Sequence, residues 1–313
     1  MPFWPQPGSR PAASPICSIA ALERTTTFVP TVRNSRTTLS VWRRRIKSGL
    51  RFLKRPVFGQ ARVIFAVSRF TAGLLRGQGV PEERIRMIPN GADPQHHRPH
   101  PDPPSLKQKH GLQGKTILLT VCRLDPHKGV HLLLDALPDL CRRFPELVYA
   151  VVGGGPQEER LQSQAASLGL EERVLWLGYL PENEVLEWYQ LCDLYVTLSH
   201  DIPGRTDLIE GFGICFVEAA ACGKATLGCR WGGVPDAIEE GKTGLLLNSP
   251  PSKEAILEAI SQLLSDEPLR RRLGEAGRCR VEQQLNWNRA ARSMVREFQA
   301  REVFVQRGRE NGE

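Results

Sequence analysis

The sequence predicts an α/β fold built on a doubly wound parallel sheet, and three observations carry that prediction. Six near-continuous apolar runs, TILLTV, LVYAVVG, VLWLG, DLYVTL, ATLGC and TGLLL, recur between residues 116 and 247. Amphipathic stretches such as GVHLLLDALPDLCRRF and PSKEAILEAISQLL separate them. The strands are apolar on both faces rather than alternating, the pattern of a sheet covered by helices on both sides. The alternation runs from about Gly114 to Gly277, and sheets of this kind bind ligands at the carboxyl ends of their strands.

Taken in order, residues 1–40 are rich in Pro, Ser, Thr and Arg without a sustained period and read as irregular. In residues 41–55, VWRRRIKSGLRFLKR, Trp42, Ile46, Leu50 and Leu53 fall on one helical face and Arg and Lys on the other. A solvated surface helix is the plain reading, and a peripheral membrane contact the sharper one. VIFAVS is a buried strand ending at Ser68, a helix then runs to Gly77, and IRMIPNGAD is a second strand broken by Pro-Asn-Gly. The five-proline segment from Pro94 to Lys109 reads as a linker, and its His96, His97 and His100 have no acidic or cysteine cluster beside them to make a metal site. Residues 41–112 thus form one region with its linker, 113–280 the doubly wound domain, and 281–313 a terminal helix and tail. That helix places Trp287, Ala291, Met294, Val295 and Phe298 on one face.

The 313 residues, 41% hydrophobic and 24% charged, suit a globular enzyme. The net charge of +8 is local: the first sixty residues hold eleven Lys and Arg against Glu23 alone. A basic excess segregated outside the folded domain argues against a nucleic-acid partner. The eight cysteines include no Cys-x-x-Cys pair, so Cys215, Cys222 and Cys229 read as core packing and a reducing cytoplasm is the expected compartment. There is no recognisable leader, and no apolar run reaches the ~18 residues that span a bilayer. The expected location is cytoplasmic, with contact at the inner face of the membrane through 41–55.

Chemistry concentrates at the strand ends. In CRLDPHKG, Arg123 leaves the first strand of the domain and Lys128 follows at the start of a helix, so two cations and a helix N-terminus can form a diphosphate site. A salt-bridged surface turn accounts for the same residues equally well. His127 and His131, four apart, lack a third metal ligand and read as incidental. Gly153 to Gly155 follow the second strand as a turn that permits close approach. In IEGFGICFVEAAACG, Glu210 belongs to a loop, Gly213 sits near a helix start and Glu218 lies one to two turns in. Eight residues of continuous helix would separate the carboxylates by about 12 Å, too far to share one ligand group. A carboxylate accepts two hydrogen bonds from a vicinal diol. Two of them flanking cations and a helix start match a molecule with hydroxyls at both ends and a diphosphate between, the layout of a nucleotide-sugar. Glycoside hydrolysis, which needs the pair facing across one bond, fits less well.

Arg123-x4-Lys128, VVGGGP, EGFGICFVEAAACG, GGVPDAIEEGKTGLLL and AVSRFTAGLLRGQGVPEERIRMIPNGAD together resemble the retaining, GT-B-fold glycosyltransferases of family 4, over about four-fifths of the chain. The resemblance implies a GT-B type fold with a complete C-terminal Rossmann-like domain, and hexosyltransferase activity from a nucleotide-sugar to an unidentified glycan or lipid hydroxyl. It implies that Arg123 and Lys128 bind the donor diphosphate and that Glu218 takes the ribose hydroxyls. Glu210 contacts the donor sugar and is catalytic with the two cations, while Gly211, Phe212 and Gly213 offer backbone to sugar and phosphate. Gly154 belongs to the donor pocket, the loop near Leu180 meets the base, and Gly232 to Asp236 shape the pocket floor. Retention of configuration without a metal or other cofactor follows from the same resemblance, and no Asp-x-Asp occurs in the chain.

The chain departs from the family pattern ahead of VIFAVS, where only a remnant of the N-terminal Rossmann-like acceptor domain is expected: sixty residues precede it and no histidine occurs before His96. Two explanations stand: a fragment or misassigned start, or a donor-binding subunit whose acceptor half is lost or supplied elsewhere.

Overall fold

The computed structural model describes residues 58–100, 104–205 and 207–310. The predicted irregular segment 1–40 and the basic stripe of Trp42, Ile46, Leu50 and Leu53 lie outside the described residues. The chain divides into two compact units, Met1–Ala66 with Gly73–Arg86, and Val67–Ala72 with Met87–Glu313.

In the smaller unit, β1 (Ile64–Ala66), buried at all three positions, pairs with β2 (Ile85–Met87). Between these strands runs α1 (Arg69–Gly77), whose first residues, to Ala72, belong to the larger unit and which stops at the predicted glycine. The predicted linker is only partly one: its end is a helix, α2 (Pro104–Lys109), with Leu106 buried in the core of the larger unit. A proline at the first helical position loses no hydrogen bond, so the last proline of that run starts a helix rather than prolonging a loop.

The larger unit holds β3 (Thr116–Val121), α3 (Val130–Arg143), β4 (Leu147–Val152), α4 (Glu158–Ser167), β5 (Val174–Gly178), α5 (Glu182–Leu191) and β6 (Leu194–Val196). There follow α6 (Ile214–Ala221), β7 (Thr226–Cys229), α7 (Val234–Ala237), β8 (Leu245–Leu247), α8 (Lys253–Ser265), α9 (Glu267–Gln283) and α10 (Trp287–Glu310). Strands β3 to β8 form one sheet in the order β5-β4-β3-β6-β7-β8, all parallel, with Leu118 of β3 level with Tyr149 of β4 and Leu194 of β6.

Alternate strand residues feed two apolar layers. Ile117, Leu119 and Ala150 join Trp188 and Tyr189 of α5 and Phe216 and Val217 of α6 on one face. Leu118, Tyr149 and Val151 join α3, α4 and α8 on the other. Because both faces are buried, the strands carry no polar alternation, which is why they read as continuous apolar runs. The chain builds outward from β3 to β4 and β5, then returns to β6 on the opposite side, so a crevice opens at the carboxyl ends of β3 and β6. The glycines of α9 admit α6 closely: a methyl on Gly277 would press on Ala220. Along α10, Val295 and Phe298 of the apolar stripe are exposed. Among the described residues no helix is long and apolar enough to cross a membrane.

Candidate functional site

The crevice is lined by loops that close backbone contacts hold together. After β3 the chain makes a short turn, Pro126–Lys128, and Gly129 then adopts φ 71° at the start of α3. A side chain at Gly129 would overlap the Leu198 carbonyl beyond β6, so the β3 and β6 loops can pack only with glycine there. The His200 amide donates to the His127 carbonyl at 2.9 Å across the same seam.

This turn aims Lys128 at the loop before α6. Its Nζ lies 2.6 Å from Glu210 Oε2, with the two side chains only 18% and 13% exposed. Ser199 Oγ donates to the same oxygen at 3.2 Å. Burial alone would depress the Lys128 ammonium, but the Glu210 carboxylate outweighs it and leaves the pKa raised. A raised lysine pKa stabilises the fold at all pH below its ordinary value and loses that contribution only as pH climbs through the raised one, so the pair is intact at neutral pH.

Glu210 is fixed from behind. Its carbonyl accepts from the Gly233 amide at 2.8 Å, and the next carbonyl, Gly211, accepts from Ser68 Oγ at 2.7 Å. Phe212 is buried in the core, and Gly213, at φ 93°, caps α6 where a methyl would strike the Phe216 ring. Helix α6 thus begins four residues after Glu210, at the end of the same loop. Further along the helix, Glu218 accepts from the Tyr189 hydroxyl at 2.8 Å. Tyr189 is fully buried, and burial raises its hydroxyl well above its ordinary pKa, so it serves as a fixed donor that orients the carboxylate.

The structure therefore brings together Lys128, Glu210, Gly211, Phe212 and Gly213, with Glu218 on the same helix. Arg123 is placed differently: it pairs with Asp125 at 3.0 Å and is 46% exposed, the salt-bridged turn that the sequence left open. Gly154 lies under the Tyr179 ring, whose hydroxyl donates to its carbonyl at 3.1 Å, while Tyr179 is otherwise 75% exposed. Leu180 is half-buried against the apolar layer of α5 and α6. Cys222 and Cys229 are core residues as predicted. Burial pushes the thiols of Cys122 and Cys215, one at each loop, up to about 12, which leaves them protonated and unsuited to nucleophilic chemistry. Sequence reasoning missed Ser199 and Tyr189, because a serine at a strand end and a tyrosine on a core helix carry no motif.

His127 is buried beside Lys128, its ring 6.1 Å from that of Trp231, and its Nδ1 has no partner among the described residues. Burial, and then the neighbouring ammonium, push its imidazole down to about 4. The unfolded chain takes up this proton near pH 6.5, so stability held above 6.5 is lost as pH falls to about 4. Urea unfolding at pH 7 and pH 4 is expected to show a loss on the order of 3 kcal/mol from this residue. A His127→Gln variant should lack that increment, and equal pH slopes in the two proteins would refute it. Among the described residues no group of three or more His, Cys, Asp or Glu is placed to hold a metal ion.

Comparison with known proteins matches residues 102–280 to the family model of glycosyl transferases group 1, and residues 11–96 to that of glycosyltransferase family 4. A GDP-mannose-dependent alpha-(1-6)-phosphatidylinositol monomannoside mannosyltransferase of Mycolicibacterium smegmatis is 33% identical over 225 residues, 72% of this chain and 58% of the relative. A D-inositol 3-phosphate glycosyltransferase of Corynebacterium jeikeium is 33% identical over 213 residues, 64% of this chain and 48% of the relative. The chain thus spans about three-fifths or less of the length of these curated relatives. Among solved structures, Anabaena HepE in complex with UDP and glucose superposes with a TM-score of 0.72 at 24% identity, over 81% of this chain and 67% of that one, a likeness of fold.

Proposed function

Since this chain belongs to the glycosyl transferases group 1 family, and to the GT-B fold, we propose that its crevice binds a nucleotide-sugar and that the protein transfers the sugar to an acceptor hydroxyl. The observation that carries this reading is the Lys128–Glu210 pair at the start of α6. A buried cation beside free helix amides is a receptor for phosphate oxygens. Glu210, released from Lys128 by the entering diphosphate, becomes an acceptor for a sugar hydroxyl, and Glu218, oriented by Tyr189, accepts the ribose diol. Arg123 exchanges Asp125 for the diphosphate. The exposed Tyr179 and the Leu180 backbone border the place left for the base.

In the transfer, the bond from the sugar's anomeric carbon to the phosphate oxygen breaks and a bond to the acceptor oxygen forms. The acceptor attacks from the leaving-group face, with retention, and its proton passes to the departing phosphate. Charge grows on that phosphate, where Lys128, Arg123 and the α6 dipole stabilise it in the role that a metal plays in other transferases. The name of the Mycolicibacterium smegmatis relative puts GDP-mannose first among donors to test and a lipid-borne acceptor first among acceptors. Such an acceptor agrees with a protein that works at the inner face of the membrane.

Calorimetric titration with GDP-mannose, UDP-glucose and an ADP-sugar, without added metal, tests the reading. Saturable binding to one of them is expected, weakened about 10- to 100-fold in Glu218→Ala, which removes the ribose contact. Affinity unchanged in that variant, or no binding to any donor, would defeat it.

A further inference from the structure

The turn that begins α1 is bonded to both loops of the site, although it lies more than 140 residues away in sequence. Ser68 is fully buried. It forms a reciprocal cap with Thr71: the Thr71 amide donates to Ser68 Oγ at 3.0 Å and the Ser68 amide to Thr71 Oγ1 at 2.9 Å. The hydroxyl protons have separate destinations. That of Thr71 goes to the Ser68 carbonyl at 2.9 Å, which leaves that of Ser68 for the Gly211 carbonyl at 2.7 Å. The Arg69 amide and Nε donate to the two carboxylate oxygens of Asp236 at 2.8 and 2.7 Å, and Asp236 is only 12% exposed. Asp236 therefore places its charge at the N-terminus of α1, where the helix dipole favours it. On its other side, Arg280 donates to the carbonyls of Asp236 and Ala237 at 2.8 and 2.6 Å.

A helix needs one N-cap, and Ser68 with Thr71 already supplies it. The bond from Ser68 to Gly211 adds nothing to capping, and the Asp236 carboxylate, although it takes the first free amide of α1, reaches it from a loop 167 residues away. What they fix is the spacing of the Glu210–Gly213 loop and the Gly232–Asp236 loop, which the Gly233 amide joins at the Glu210 carbonyl. We propose that Ser68 and Asp236 are positioning residues of the donor site: they latch the two loops so that Glu210 and the Gly211 backbone stay in register for the sugar end of the ligand. This rests on the nucleotide-sugar reading for its consequence, but the latch itself is a property of the unliganded chain.

Hydrogen exchange separates the two. In Ser68→Ala, amides of 210–216 and 232–237 should exchange at least 10-fold faster than in the wild type, while those of β3 and β4 are unchanged. Ser68→Thr, which keeps the hydroxyl, should restore the slow rate, and Asp236→Asn should act as Ser68→Ala does. A merely structural role would raise exchange across the whole unit and in both Ser68 variants. Protection unchanged at 210–216 in Ser68→Ala overturns the latch. Titration with GDP and GDP-mannose, and with UDP and UDP-glucose, then reads its consequence. The nucleoside diphosphate should bind all variants alike, and the sugar nucleotide should lose at least 5-fold in Ser68→Ala and Asp236→Asn only. A parallel loss for both ligands contradicts positioning, whereas wild-type protein that binds neither ligand refutes the donor reading and leaves the exchange result to decide the latch.

Discussion

Replacing Lys128 by methionine is expected to abolish measurable nucleotide-sugar binding and to destabilise the fold by about 3 kcal/mol. The two losses have different origins. Binding fails because the ammonium that meets the diphosphate is gone. Stability falls because Glu210, 13% exposed, remains as a carboxylate without its counter-ion, with Ser199 alone as a donor. Adding Glu210→Gln should therefore restore most of the stability and none of the binding, a divergence readable by urea unfolding and titration on the same preparations. Glu210→Gln by itself frees Lys128 for phosphate, so it should keep or tighten nucleoside diphosphate while losing transfer. If Lys128→Met binds donor as the wild type does, Lys128 is only a structural partner of Glu210.

Gly233→Ala is expected to damage both the fold and the site. The added carbon would overlap the Gly211 carbonyl and lie 2.6 Å from the Gly211 carbonyl carbon and 2.8 Å from the Phe212 Cα, all backbone atoms that no rotamer change can move away. Either the Gly233 amide leaves the Glu210 carbonyl or the Glu210–Phe212 loop shifts as a whole. The second also pulls Phe212 from the core, so a loss of about 3 kcal/mol is expected together with at least 10-fold weaker sugar-nucleotide binding. Gly241→Ala, at φ 70° but in open space, is the control: it carries backbone strain without the overlap and should leave binding intact. Thermal unfolding and titration of both variants check this, and equal behaviour would show that the overlap is absorbed.

The sheet was legible in the sequence because burial on both faces writes itself as uninterrupted apolar runs: TILLTV is β3 residue for residue. The helix start at Gly213 was legible too, since a glycine before an apolar stretch and a small-residue run have a local cause. Contacts that depend on distant residues were not. Nothing near Ser68 announces Gly211, while Arg123 stayed between a salt-bridged turn with neighbouring Asp125 and a phosphate site because the same residues serve both. The helix at Pro104–Lys109 was hidden by its own composition, as prolines that mark a helix start look like a linker when they come in a row. His127 was noticed for its spacing from His131, but what distinguishes it is burial beside an ammonium, which spacing cannot register.

The reversal of winding between β3 and β6 also bears on how such a protein changes over generations. Lys128, Ser199 and Glu210 stand on segments beyond the strand ends and not on the strands of the sheet. Selection on the scaffold and selection on what it recognises therefore act on separate residues. The loop after β5 can be rewritten for another base while the two apolar layers beneath it stay as they are, so one framework can supply a lineage of transferases with different donors.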